Sequence, residues 1–240
     1  MSTTRRFSIF LIAMFLVFEV IRMAINRAES TIFQTSSYQR LAVIPKETVY
    51  NLYLKRFFDI LVASIGLIFA TPIVLITMIL IKLESPGNAL FFQERVGYKG
   101  KNFNVIKLRS MRSDAEKNGA QWASKNDPRV TKVGAFIRKT RIDELPQLVN
   151  VIRGDMSLIG PRPERPEFTE EFERDIPGFK MRLLVKPGLT GWAQVNGGYD
   201  ITPKEKLEYD LIYIKNMGFL LDLNTAIKTI RVIFTGEGAR

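Results

Sequence analysis

The 240-residue chain predicts an α+β fold, mostly helical, in which a long apolar segment and amphipathic helices accompany a small β-hairpin element. Three observations carry this. Apolar residues concentrate in two blocks, Phe7–Ile25 and Phe57–Ile81, instead of spreading evenly. The stretch FFQERVGYKGKNFNVIKLRSM at 91–111 alternates apolar and polar side chains around a Gly-containing turn. Beyond residue 200, apolar residues recur at helical spacing.

The first block follows Arg5-Arg6 and is interrupted by Glu19 and Arg22. At ~20 residues it is just long enough to span a bilayer, and it equally fits a signal-anchor or a helix lying in the interface. The second block is longer and more apolar, but Asp59 sits near its start and Pro72 near its middle, after Thr71. A mid-helix proline removes a hydrogen bond and bends the helix. Lys55 and Arg56 precede the block and Lys82, Arg95, Lys99 and Lys101 follow it. Basic residues on both sides give no orientation for a spanning helix. The block therefore fits either a transmembrane helix that tolerates its proline or a helix that enters one leaflet and returns.

Ser85-Pro86-Gly87-Asn88 is a turn, followed by the hairpin within Ala89–Arg112, which turns at Tyr98–Asn102. Asp114–Lys125 is polar helix or loop, and Asn126-Asp127-Pro128 a turn. Val133–Arg141 predicts a short basic amphipathic helix, and Leu145–Ile152 a short apolar one ended by Gly154. Phe168–Arg174 is an acidic helix, Lys186–Gly198 a Gly-rich loop, and Pro203–Met217 and Leu220–Ile233 are amphipathic helices.

The chain carries a net charge of +11 and has neither histidine nor cysteine. The charge suits nucleic acid, an anionic membrane surface or phosphorylated substrates. The missing residues exclude disulfides, thiol catalysis, Cys-based zinc sites, Ser-His-Asp triads and HExxH metal sites. Carboxylates, hydroxyls, Lys and Arg remain.

Four constellations could use them. Asp143-Glu144 stand just before an apolar helix, where acidic residues often serve only as caps. Pro146 makes that helix begin late or kink, however, and Arg138, Lys139 and Arg141 lie just upstream. Basic residues beside carboxylates suit a polyphosphate and its magnesium ion. Gly160-Pro161-Arg162-Pro163 fixes the backbone around one guanidinium, which can bind phosphate bidentately or stand solvated in a rigid turn. Lys107 and Arg109 share a strand face, close to Arg112, and either hold phosphates or blunt a strand edge. The loop KPGLTGWAQVNG at 186–197 brings Trp192, Gln194 and Asn196 to a pocket wall or buries Trp192 structurally.

Taken together, these residues resemble the bacterial sugar transferases, the monotopic phosphoglycosyl transferases. The resemblance rests on KRFFD at 55–59, SPG at 85–87, FFQERVGYKGKNF at 91–103, KLRSM at 107–111, NDPRVTKVGAFIRKT at 126–140, DELPQLVNVIRGDMSLIGPRPE at 143–164 and KPGLTGWAQVNG at 186–197. It implies an N-terminal anchor and linker over 1–54 and a transferase domain over 55–240. It implies a re-entrant helix over 57–81 broken at Thr71-Pro72, where the family's pair is commonly Ser-Pro, together with interfacial amphipathic helices. The implied reaction moves a sugar-1-phosphate from a UDP-sugar to polyprenyl phosphate, releases UMP and initiates glycan assembly. Asp143 then matches the nucleophile, and Glu144 the partner carboxylate on Mg²⁺. Lys107, Arg109, Arg112, Arg138, Arg162, Gln194 and Asn196 match the substrate and phosphate contacts, with Pro161 and Pro163 structural. The implied partners are UDP-sugar, polyprenyl phosphate and membrane lipid, not nucleic acid, at the cytoplasmic face of a bacterial membrane. Homo-oligomerisation and the identity of the sugar are left open. Arg141 departs from the family's usual serine. The competing expectation is a basic, membrane-anchored module that binds anions without catalysis.

Overall fold

The computed structural model describes residues 19–20, 23, 43–117, 119, 127–197 and 201–235, residue 234 by its backbone alone. The anchor expected at Phe7–Ile25 lies outside the described residues except for Glu19, Val20 and Met23. The chain divides into compact units Met1–Ala42 and Val43–Arg240; every element below belongs to the second.

A π-helical turn, Tyr50–Leu54, leads into helix α1, Lys55–Glu84. Its length follows from a nearly unbroken run of apolar residues, and it is long and apolar enough to cross a membrane. The helix runs as one element through Pro72, so any bend there does not interrupt it. Two bend determinants coincide: Pro72 has no N–H to donate, and the Thr71 hydroxyl donates to the Leu67 carbonyl at 2.6 Å.

One stripe of α1 is buried: Asp59, Ala63, Ala70, Thr77 and Ile81, at intervals of four and seven residues. Small residues in this stripe let neighbouring elements approach closely. Ala63 and Ala70 pack in a cluster with Val105, Leu148, Val151 and Met156. Ile81 packs with Ala89, Leu108 and Ile137. The remaining face exposes Phe57, Leu61, Ile65, Ile68, Phe69, Ile76, Ile79 and Leu83. Large exposed apolar side chains gathered along one helix mark an interaction or membrane surface.

Both ends of α1 are tied to the same body. Near the start, Arg56 donates to the carbonyls of Val151 and Ile152 at 2.6 and 2.8 Å. The Asp59 carboxylate accepts from Ser157 Oγ and Leu158 N, both at 3.0 Å. At the far end, Glu84 accepts from the backbone N–H groups of Lys132 and Val133. A helix of this length rises about 45 Å, more than a bilayer core of about 30 Å.

Strands β1, Leu90–Val96, and β2, Asn102–Leu108, form the expected antiparallel hairpin, registered Leu90↔Leu108 through Val96↔Asn102. Helix α2, Lys132–Lys139, is capped by the Thr131 hydroxyl and carries the expected basic residues. A 3₁₀ turn, Ile142–Glu144, precedes α3, Gln147–Arg153, which Gly154 ends with φ 95°. The late start of α3 is the one Pro146 requires.

The sequence expectation of a loop at Lys186–Gly198 needs correction. Gly188–Thr190 forms β4, parallel to β3, Ser157–Ile159, and Trp192–Asn196 forms the short helix α5. The pairing depends on glycine: a Cβ on Gly188 or Gly191 would collide with the Gly160 backbone. Helix α4, Pro166–Asp175, a 3₁₀ segment, Phe179–Leu184, and helices α6, Pro203–Asn216, and α7, Phe219–Thr235, complete the body. Helix α6 starts at a capping box between Thr202 and Glu205. Asp222 of α7 accepts from Tyr50, Lys55 and Tyr213, binding the entry to α1 to the two final helices.

Candidate active site

The site is assembled by three local devices. Asn150 of α3 accepts from Ile106 N at 3.0 Å and donates to the Asn104 carbonyl at 2.8 Å. This side-chain bridge locks α3 against β2 and sets Lys107 beside the turn that ends at Glu144. Gly134 of α2 lies so close to the Ser110 carbonyl that a Cβ would collide with it, which draws Arg138 toward the same cleft. Arg141 then adopts a left-handed conformation, φ 57°, and reverses the chain into Ile142–Glu144. A non-glycine residue there costs on the order of 1 kcal/mol, a strain characteristic of functional turns.

These elements enclose a cavity of about 520 Å³. Of the residues singled out in the sequence, Lys107, Arg109, Arg112, Arg138, Asp143, Glu144, Arg162 and Gln194 line it. The carboxylates do not cap α3, whose N-terminus has no side-chain cap bond; they face the cleft instead. Glu144 is paired with the Arg162 guanidinium and lies 3.6 Å from Lys107 Nζ.

The two carboxylates are driven apart electrostatically. Burial, reinforced by the charge of Glu144, pushes Asp143 up to about 6, against the opposing pull of Lys107, Arg162 and Arg138. Burial acts on Glu144 in the same direction, but Arg162 and Lys107 outweigh it and hold that carboxyl well below the usual range. Burial lowers Lys107 to about 8, with Glu144 opposing the shift. Glu144 raises Arg162. Neighbouring carboxylates with opposite shifts suit different duties: one fixed as an ion, one poised near neutrality.

Two predicted ligands take other roles. Arg109 borders the cavity, but its guanidinium donates to Pro86 O, Ser85 O and Ser85 Oγ at 2.6, 2.7 and 3.0 Å, clamping the turn after α1. Asn196 does not line the cavity: it donates to the Trp192 carbonyl and accepts from Lys228, each at 2.8 Å. Lys228 also lies over the Trp192 ring, and that tryptophan is fully buried, as the structural alternative for this loop expects. Pro161 and Pro163 flank Arg162 in a segment without regular secondary structure. Sequence reasoning missed Arg95, Glu164, Arg165, Arg182 and Lys206, which also line the cavity. Glu164 adjoins a recognised motif; Arg182, inside the apolar segment Phe179–Leu184, carries no sequence signal.

The site is thus a basic cleft holding a paired, ionised carboxylate and a second carboxylate of raised pKa, in a body that also carries a long helix with an exposed apolar face. Residues 50–236 match the model of the family described as bacterial sugar transferase, and the chain belongs to that family. Over 191 residues it is 51% identical to a UDP-N-acetylgalactosamine-undecaprenyl-phosphate N-acetylgalactosaminephosphotransferase of Aeromonas hydrophila, covering 78% of this chain and 45% of that protein. A putative undecaprenyl-phosphate N-acetylgalactosaminyl 1-phosphate transferase of Bacillus subtilis (strain 168) is 61% identical over 140 residues, 58% of this chain and 78% of that one. A UDP-glucose:undecaprenyl-phosphate glucose-1-phosphate transferase of Escherichia coli (strain K12) is 40% identical over 194 residues, 79% of this chain and 42% of that one. The chain thus spans about half the length of several curated relatives it matches.

Proposed function

We propose that this protein transfers a sugar-1-phosphate from a UDP-sugar to undecaprenyl or a related polyprenyl phosphate, through a phosphosugar-aspartyl intermediate. The observation that carries the reading is the Asp143 carboxylate, poised near neutrality in a basic cleft beside the fixed Glu144–Arg162 pair. An ionised Asp143 oxygen attacks the phosphorus that bears the sugar. The bond from that phosphorus to the bridging oxygen breaks, and UMP leaves with the electron pair. An oxygen of polyprenyl phosphate then attacks the same phosphorus and releases the Asp143 carboxylate. Both attacking groups are anions, so no histidine base is needed. Arg162 and Lys107 neutralise charge on the transferred phosphoryl group, and Arg112 and Arg138 widen the basic wall.

Glu144 would hold a magnesium ion, which takes one or two carboxylates together with substrate phosphates. No group of three metal-ligating side chains occurs among the described residues. When bound, the ion supplies charge neutralisation on the diphosphate.

The decisive assay is isotope exchange. With UDP-sugar and magnesium but no lipid acceptor, labelled UMP should exchange into UDP-sugar. Exchange that requires the acceptor would overturn the covalent intermediate. The relatives from Aeromonas and Bacillus make UDP-N-acetylgalactosamine the first sugar to try, with UDP-glucose second.

The reading includes a membrane position. Helix α1 dips into one leaflet with its apolar face toward lipid and returns to the cytoplasmic side, where UDP-sugars are found. Its two anchored ends support this. The chain has no cysteine, so Asn88→Cys, just past α1 and exposed, gives a unique label site. A membrane-impermeant thiol reagent should label it in opened cells only. Labelling in intact cells would show that α1 crosses the bilayer.

A further inference from the structure

Arg162 faces Glu144, yet its own side chain does not explain what fixes it there. The flanking prolines set φ at 161 and 163, but they leave open where the segment points. Hydrogen bonds to backbone atoms supply that direction. Gly160 N donates to the Thr190 carbonyl and Gly188 N to the Pro161 carbonyl, at 3.0 and 2.9 Å. Next along the chain, Arg182 Nη2 donates to the carbonyl of Arg162 itself at 2.8 Å, and Arg95 Nη1 to the Pro163 carbonyl at 3.0 Å.

Arg182 is in turn held by one oxygen of Asp210, which accepts from Nε at 3.0 Å and Nη2 at 2.6 Å. Asp210 is 1% exposed and Arg182 3%. Glu164 completes the group, with Lys206 at 2.8 Å, Arg182 at 3.5 Å and Arg95 at 3.7 Å. Burying such an assembly is costly, and a hydrophobic cluster would often stabilise the fold as well or better. Asp210 reflects the cost: burial raises its pKa in spite of Arg182. The assembly achieves what a hydrophobic cluster cannot, a directed donor on the carbonyl of the residue that holds Glu144.

Resting on the transferase reading above, we propose that Asp210 and Arg182 are positioning residues: Asp210 orients the Arg182 fork, and Arg182 fixes Arg162 through its backbone so that the guanidinium meets Glu144 and the transferred phosphate. Neither residue need touch the reacting atoms. Asp210 lies 67 residues from Asp143 in sequence and reaches the site through Arg182.

A double-mutant cycle tests the relay. Arg182→Lys keeps the charge but loses Nε and the rigid planar fork, so Asp210 no longer holds the bond to the Arg162 carbonyl in a fixed direction. It should lower kcat about 10-fold in the parent protein and change kcat less than 2-fold in the Arg162→Ala background. Asp210→Asn, a milder isosteric change, should follow the same pattern with about a 3-fold loss. Equal losses in both backgrounds would mean a general structural role and overturn the proposal. Hydrogen exchange supplies a readout independent of activity. In Arg182→Lys, exchange across residues 159–164 should accelerate at least 10-fold while the β1–β2 hairpin keeps its protection. Unchanged exchange at 159–164 would also overturn the clamp. Failure of the unmodified protein to release UMP would count against the transferase reading alone.

Discussion

Asp143→Asn is expected to lower UMP release by about 10⁴-fold or more, the scale at which removing a nucleophile acts, and to make the metal-free protein more stable above pH 6. Both effects come from one carboxyl group. The amide cannot attack phosphorus, so neither half-reaction proceeds. In the unfolded chain this carboxyl titrates near 3.8, and in the folded protein near 6. Its folded value is raised, so the favourable protonated state is fully available below pH 3.8 and is lost as pH rises through 6. Above that, ionising Asp143 inside the fold costs on the order of 3 kcal/mol. The amide removes this cost. Thermal melting without magnesium should give similar midpoints for parent and variant near pH 4. By pH 8 the variant should melt higher, by about 5 °C or more for a body of this size. A variant that retains turnover would rule out Asp143 as nucleophile. Equal melting at pH 8 would rule out the strained carboxylate.

Arg162→Ala should be harmful on both counts. It removes the main partner of Glu144, leaving a buried carboxylate whose remaining ion pair among the described residues is with Lys107 at 3.6 Å. Breaking a buried pair from one side costs about 3–5 kcal/mol. Loss of one preorganised donor to a developing oxyanion lowers turnover by about 10²–10³-fold. The stability loss carries its own pH signature. The folded value of Glu144 is depressed, so Arg162 stabilises fully above the ordinary glutamate value of 4.5 and progressively less as pH falls below it. Denaturant melts of parent and variant should differ most at pH 7 and converge in acid. A pH-independent difference would place the effect in packing, because the Arg162 side chain also fills the cleft wall.

The two variants separate the roles of adjacent carboxylates. Burial raises the Asp143 carboxyl to about 6, whereas Glu144 is paired with Arg162. The family resemblance gave the two carboxylates different duties, but the residue pattern alone held no physical basis for it, because burial and the approach of Lys107 and Arg162 set the two values, and those residues lie 36 and 19 positions from Asp143. The cleft also reassigned two expected ligands. Arg109 falls on a strand edge by pattern, yet its guanidinium closes the Ser85-Pro86 turn. Asn196 shares a loop with Gln194, but one helical turn carries it away from the cavity toward Lys228.

The sequence by itself determined what has a local period or a local constraint. Alternation from Phe91 to Leu108 specified the hairpin, apolar spacing specified the helices, and Pro146 and Gly154 bounded α3. The absence of histidine and cysteine left carboxylates, hydroxyls and cations for any chemistry, and the adjacent Asp143-Glu144 with Gly160–Pro163 marked the candidate site. Only the tertiary structure decided how these pieces meet. The parallel pairing of Ser157–Ile159 with Gly188–Thr190 depends on bare glycine backbones in contact, which leave no periodic trace. Likewise, the docking of both ends of α1 on one body and the relay from Asp210 through Arg182 to Arg162 join residues from separate elements. Periodicity reports which face of an element is buried; it does not report which distant carbonyl a buried arginine will reach.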